Sequence, residues 1–159
     1  MNISSKLKEN AFLWGFGLTQ VPMILWTGPS ILHLSEDRVV IKIPLSRRTK
    51  NHLGAMYFGA LAVGADCAGG ILAMRRIRKE KHNVSLVFKD FKAEFLKRAE
   101  GDVLFTCEDG LKISRLLDET LQSKERVHAT VHILATVPSQ SGTEPVARFE
   151  LTLSLKAKK

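Results

Sequence analysis

The run LGAMYFGALAVGADCAGGILAM, residues 53–74, is the most apolar part of this chain, and its one charged residue is Asp66. The basic stretch RRIRKEKH follows at once. An apolar helix of that length belongs either in a bilayer or at the centre of a domain. Its 22 residues would span roughly 33 Å as a helix, enough to cross a membrane. Insertion energies argue against that. Leu53, Phe58, Leu61, Val63, Ile71 and Leu72 contribute about −0.5 kcal/mol each, roughly −3 together, and a central aspartate returns about +3. Glycines at 54, 59, 64, 69 and 70 weaken the span further. With the sum near zero, no transmembrane span is expected, and the segment reads as a core helix.

A core helix needs a partner, and the rest of the chain supplies a sheet. In 127–137, Val127, Ala129, Val131, Ile133, Ala135 and Val137 alternate with polar residues. In 146–156, Ala147, Phe149, Leu151, Leu153 and Leu155 do the same. Period two with one polar face predicts an antiparallel sheet covered on one side. Further strands are expected at 31–34, at 39–46, at 83–99 with a bulge near Asp90–Phe91, and at 102–108. Residues 5–27 read as one or two short helices, broken near Gly15–Gly17 and Pro22. Residues 111–124 have helical spacing through Leu111, Leu117 and Leu121. The sheet has nothing else apolar enough to cover it, so the 57–74 helix is placed inside its curve. The whole chain, 1–159, reads as one domain in which 1–28 is an N-terminal helical extension.

Composition excludes several functions. The net charge of +8 suits nucleic acid, an anionic membrane or a phosphorylated small molecule. No basic stripe is interleaved with aromatic residues, so no nucleic-acid partner is expected. Cys67 and Cys107 match no metal spacing and no disulfide framework, which fits a reducing, cytoplasmic setting. His128 and His132 stand four apart in a strand, roughly 13 Å, too far to share a metal, so no metal site is expected and both read as surface residues. Glu9 and Asn10 interrupt the N-terminal apolar run, and no cleavage pattern follows closely, so it reads as a docking helix, not a signal peptide. The terminal KAKK reads as a solvated tail.

At 100° per residue, Gly59, Ala62, Val63, Asp66, Gly70 and Ala73 fall on one helical face. Small residues there permit close approach by a thin ligand. An aspartate in such a place costs free energy unless it is hydrogen-bonded or used. Two readings stand: Asp66 fixes packing through a neighbouring group, or it serves as a base or nucleophile in a dry cleft.

The stretch NHLGAMYFGALAVGADCAGG resembles the signature of PaaI-type acyl-CoA thioesterases of the hotdog superfamily, N-x-x-G-x-x-H-G-G followed by an acid one to two turns into the helix. The likeness runs from about residue 30 onward, and the helices at either side resemble an uncharacterised branch of that superfamily, a domain of unknown function. It implies an α+β hotdog fold, an antiparallel sheet wrapped around a long central helix, here with an extra N-terminal helix. It implies that Asn51 helps hold the thioester carbonyl, that the backbone N–H groups of Phe58 and Gly59 polarise it, and that Asp66 is the catalytic carboxylate. Gly54 keeps the loop glycine. The family's H-G-G is Tyr57-Phe58-Gly59 here, so the histidine is absent and a phenylalanine replaces a glycine. His52 is out of register to stand in for it.

The implied substrate is an acyl-CoA or acyl-carrier thioester. No cofactor is expected beyond coenzyme A as part of that substrate. His52, Tyr57, Ala62 and Val63 would line its path, and Arg75 and Arg76 would attract the phosphates. Basic residues in a last helical turn also suit the helix dipole and are commonly solvated. Protomers of the superfamily pair side by side, which implies a homodimer or a dimer of dimers, with Asn51 of one protomer serving Asp66 of the other. The alternative is a non-catalytic hotdog protein that binds fatty-acyl ligands. A third reading is a peripheral membrane protein anchored by residues 5–27. Phe12, Trp14 and Phe16 are expected to cap an open end of the core or acyl tunnel.

Overall fold

A sheet with one dry face must curl around whatever fills it, and the filling here is a single helix. The computed structural model describes residues 3–123 and 125–158. Lys124, at the end of the expected 111–124 helix, and Lys159 of the tail lie outside them. Helices α1 (Ile3–Thr19) and α2 (Pro22–Thr27) precede strands β1 (Ser30–Leu34) and β2 (Val39–Ile43). The long helix α3 (Phe58–Lys79) follows, then β3 (Val84–Phe95), β4 (Val103–Cys107), α4 (Gly110–Ser123), β5 (Val127–Thr136), α5 (Pro138–Ser141) and β6 (Pro145–Ala157).

The six strands form one antiparallel sheet in the order β1-β2-β4-β5-β6-β3. Val131, Ile133 and Ala135 of β5 and Phe149, Leu151 and Leu153 of β6 are buried on its inner face. Against that face lie Ala65, Ala68 and Ile71 of α3. Small residues set how closely the helix seats. A Cβ on Gly64 would stand 2.3 Å from the Phe105 ring, and one on Gly69 would touch Val131 and Ile133 at 3.4 and 3.5 Å. The apolar run is therefore the core helix. The register of β3 against β6 shifts between Phe88 and Phe91, which is the bulge expected near Asp90–Phe91.

Four expectations need correction. α1 passes straight through Gly15 and Gly17 and breaks only before Pro22. Gly17 is a contact point: a Cβ there would lie 2.9 Å from the Leu25 nitrogen, so the glycine lets α2 fold back on α1. The strand expected over 39–46 stops at Ile43, because Pro44 cannot donate to a ladder. β3 ends at Phe95, short of 99. In α4 the buried stripe is Ile113, Leu116, Leu117 and Thr120, while Leu111 is 64% exposed. α5, one turn opened by Pro138, was not foreseen.

Candidate active site

Where α3 begins depends on the loop that delivers it. Tyr57 N–H donates to Thr49 O at 2.8 Å and Met56 N–H to Ala99 O at 2.8 Å. Asn51 organises the turn between them. Its N–H donates to Ala55 O at 2.8 Å, and its side-chain Oδ1 accepts from Leu53 N–H at 2.9 Å. Gly54 closes the turn at φ +82°, a conformation that L side chains rarely adopt. Asn51 Oδ1 is thus engaged by its own loop. Its Nδ2 has no acceptor among the described residues and remains available to a ligand.

α3 starts at Phe58 with Tyr57 as N-cap and no side-chain cap. The first intrahelical bonds run from Ala60 and Leu61 N–H to Tyr57 O. The N–H groups of Phe58 and Gly59 therefore have no acceptor among the described residues, at the positive end of a 22-residue helix. The Tyr57 and Phe58 rings stand beside them, centroids 4.7 Å apart. Tyr57 also lies against Gly59, where a Cβ would meet its Cε1 at 2.5 Å. Asn51, His52, Tyr57, Phe58, Phe95 and Arg98 line a cavity of about 510 Å³.

Asp66 lies eight residues further along α3, about 12 Å along the axis. It is half-buried and has no hydrogen bond or ion pair among the described residues. Burial alone raises its carboxyl from 3.8 to about 6. Desolvation, reinforced by that neighbouring carboxylate, pushes the Cys67 thiol far up, so it stays protonated. Asp66 opens into two adjoining apolar pockets of about 170 and 340 Å³ between α3, β3 and the α1–α2 hairpin. Phe12, Phe16, Val21 and Ile24 roof them, and Ala62, Val63, Gly70 and Phe88 form walls. The small-residue face is thus partly a groove. Gly59 instead faces Tyr57, and Ala73 is buried beside the cavity between α3 and α4. Within one protomer, Asp66 and the Asn51–Phe58 pair open into different cavities.

Arg75 and Arg76 sit farther along, and internal partners engage both. Arg75 Nη1 donates to Ser35 O at 3.1 Å, with Glu9 at 3.5 Å. Arg76 reaches Asp118 at 2.6 Å, Glu80 at 2.9 Å and Ser114 O at 2.8 Å. They fasten α3 to α1 and α4. Phe12 and Phe16, expected to cap an open end of the core, lie over the groove, and sequence reasoning missed Val21 and Ile24, which complete the roof. It also missed Lys97 and Arg98 beside Asn51, which are distant in sequence. Trp14 faces outward, not into the groove. His128 and His132 are exposed, and His132 Nδ1 lies 3.1 Å from Asp109 Oδ2.

One helix inside a six-stranded antiparallel sheet of this order is the hotdog fold. Solved structures agree. Protein OLEI01261, of unknown function, from Chlorobaculum tepidum matches at TM-score 0.80 with 14% identity over 96% of this chain and 97% of that one. PA5026 of Pseudomonas aeruginosa, a "Probable Thioesterase", matches at 0.74 and 20% identity over 93% and 95%. Thioesterase HI1161 of Haemophilus influenzae matches at 0.65 and 15% over 88% and 86%. No curated protein matches. The sequence profile of the family described as a domain of unknown function, DUF4442, covers residues 9–155, and the chain belongs to that family.

Proposed function

We propose that this protein hydrolyses acyl thioesters, with coenzyme A or an acyl carrier as the leaving thiol. The observation that carries the reading is Asp66: an unpartnered carboxyl with its pKa raised to about 6, at the edge of an apolar groove. A structural aspartate would be expected to hold a hydrogen bond. A base poised near neutrality does not need one before substrate arrives. In this scheme the thioester carbonyl points at the Phe58 and Gly59 N–H groups, with Asn51 Nδ2 assisting. Asp66 takes a proton from water, the hydroxide adds to the carbonyl carbon, and the thiolate leaves and recovers the proton. In the second route Asp66 attacks the carbonyl carbon, the C–S bond breaks and the thiolate leaves, and water then cleaves the mixed anhydride to the free acid and the Asp66 carboxylate, its proton going to the thiolate. The acyl chain lies along Ala62 and Val63 under Phe12 and Phe16. His52 and Tyr57 stand at the entrance.

The two halves lie apart in one protomer, which supports a homodimer in which Asn51 of one chain serves Asp66 of the other. β3 favours that pairing: it is a 12-residue edge strand with Val87, Phe91 and Phe95 exposed. Light scattering after size exclusion distinguishes a dimer from a dimer of dimers.

The second reading is a fatty-acyl binding protein without turnover. Its support is the ring of Tyr57 against Gly59 and the Phe58 ring beside it, which crowd the carbonyl position. Thiol release from acetyl- to palmitoyl-CoA, with phenylacetyl-CoA, separates the two. Turnover that collapses in Asp66→Asn supports the enzyme. No turnover, with thermal stabilisation by long acyl-CoAs, supports the binder.

A further inference from the structure

α1 has two apolar faces, and only one is used by the fold. Asn10, Leu13 and Gly17 are buried against the body, while Phe12 and Phe16 roof the Asp66 groove. Leu7, Ala11, Trp14 and Leu18 point the other way, within about 60° of arc at 100° per residue. Leu7 is 67% and Leu18 69% exposed. The stripe continues onto α2. Trp14 Nε1–H donates to Pro29 O at 2.8 Å, which sets its half-exposed ring beside the end of α2, where Trp26 is 57% exposed and Met23 is also open. Both tryptophans of the chain therefore share one outer surface.

Charge around this surface has one sign. Glu9 is the only acid in α1 and α2, and it is turned inward onto Arg75 and Arg78. Lys6 and Lys8 flank the stripe, and the Arg48 guanidinium rests over the Trp26 ring, 5.5 Å from its centroid. None of these three cations has an ion pair among the described residues. We infer that the outer face of the α1–α2 hairpin docks on an anionic lipid surface. An apolar stripe with tryptophans and a cationic margin matches the headgroup boundary of a bilayer. A second copy fits less well, because a two-fold contact of this face would bring one margin of unpaired cations against another. The hairpin's inner face roofs the groove, so docking would place the groove's mouth at the membrane. The inference does not rest on turnover.

The test is flotation of the full chain with vesicles of phosphatidylcholine alone and of phosphatidylcholine with phosphatidylglycerol. Binding to the anionic vesicles, a blue shift of tryptophan emission and weakening by salt are expected. Lys8→Glu and Arg48→Glu should each weaken binding by about fivefold or more. Leu7→Glu with Leu18→Glu should abolish it while circular dichroism and melting stay unchanged. Should that pair disturb α1, Trp26→Glu on α2 replaces it. Failure to float with anionic vesicles at low salt overturns the inference. So does binding that survives the substitutions in the stripe, or a stripe variant that splits an oligomer while lipid binding is nil.

Discussion

Replacing Asp66 by asparagine should stabilise the protein above neutral pH. The carboxyl titrates near 3.8 when solvated and about 6 in the fold, because burial disfavours its charged form. Below about pH 4 both states carry the proton and the group costs nothing. As pH rises the unfolded chain ionises first, so the folded state binds the extra proton and stability falls. Above about pH 6 the loss is complete. A gap of about two pH units corresponds to about 3 kcal/mol. An asparagine amide still pays part of the desolvation cost, so the gain at pH 8 should be about 1–3 kcal/mol. For a chain of this size that is a rise in Tm of about 2–12 °C. Urea unfolding of both proteins from pH 4 to pH 8 measures it, and the other titrating groups cancel in the difference. Curves that converge near pH 4 and separate by pH 7 are expected. A constant separation, or a variant less stable at pH 8, would refute the argument and make Asp66 a packing residue. If Asp66 is the base, kcat/KM should rise with pH through about 6, along the same window in which stability falls.

Gly64→Ala should lose about 1–3 kcal/mol or more, read by thermal unfolding, since its Cβ would meet the buried Phe105 ring at 2.3 Å. Leu117→Ala should cost about 2–5 kcal/mol in denaturant unfolding. Leu111→Ala, on the solvent side of the same helix, should stay within about 0.5 kcal/mol. Tyr57→Ala combined with Phe58→Gly clears both rings from the carbonyl position. Faster thiol release is the expected result, and unchanged or lower release would show that the rings do not obstruct the donors.

The sheet and core helix were legible because their signals are local and repeated. β5 and β6 alternate without interruption, and the apolar run around Asp66 has no competing reading once insertion energy is weighed. Even the bulge in β3 showed as a slipped phase at Asp90–Phe91. The failures share a physical cause. Gly17 looked like a breaker because a sequence does not reveal that Leu25 folds onto it. Leu111 fitted a helical period, but Ile113 and Leu116 decided which face turned inward. The site was legible in its types and not in its distances. Asn51, Phe58 and Asp66 could be named from one stretch, whereas their separation into two cavities depends on helix length and on the hairpin that roofs one of them. Arg75 and Arg76 carried no hint of Glu9 or Asp118, which come from remote elements.

The amide of Asn10 does more than anchor α1. Its Oδ1 accepts from Ile31 N–H at 2.8 Å and its Nδ2 donates to Ile31 O at 3.2 Å, as a residue of a neighbouring strand would. A single side chain thus takes the place of a strand at Ile31, one residue of the β1 margin. The opposite margin, β3, is left open. Were two copies to pair through β3, that contact would use up the exposed edge, while α1 lies along the β1 margin. Asn10→Ala would strip the N–H and C=O of Ile31 of these partners at the buried edge of β1, a loss that thermal unfolding would read.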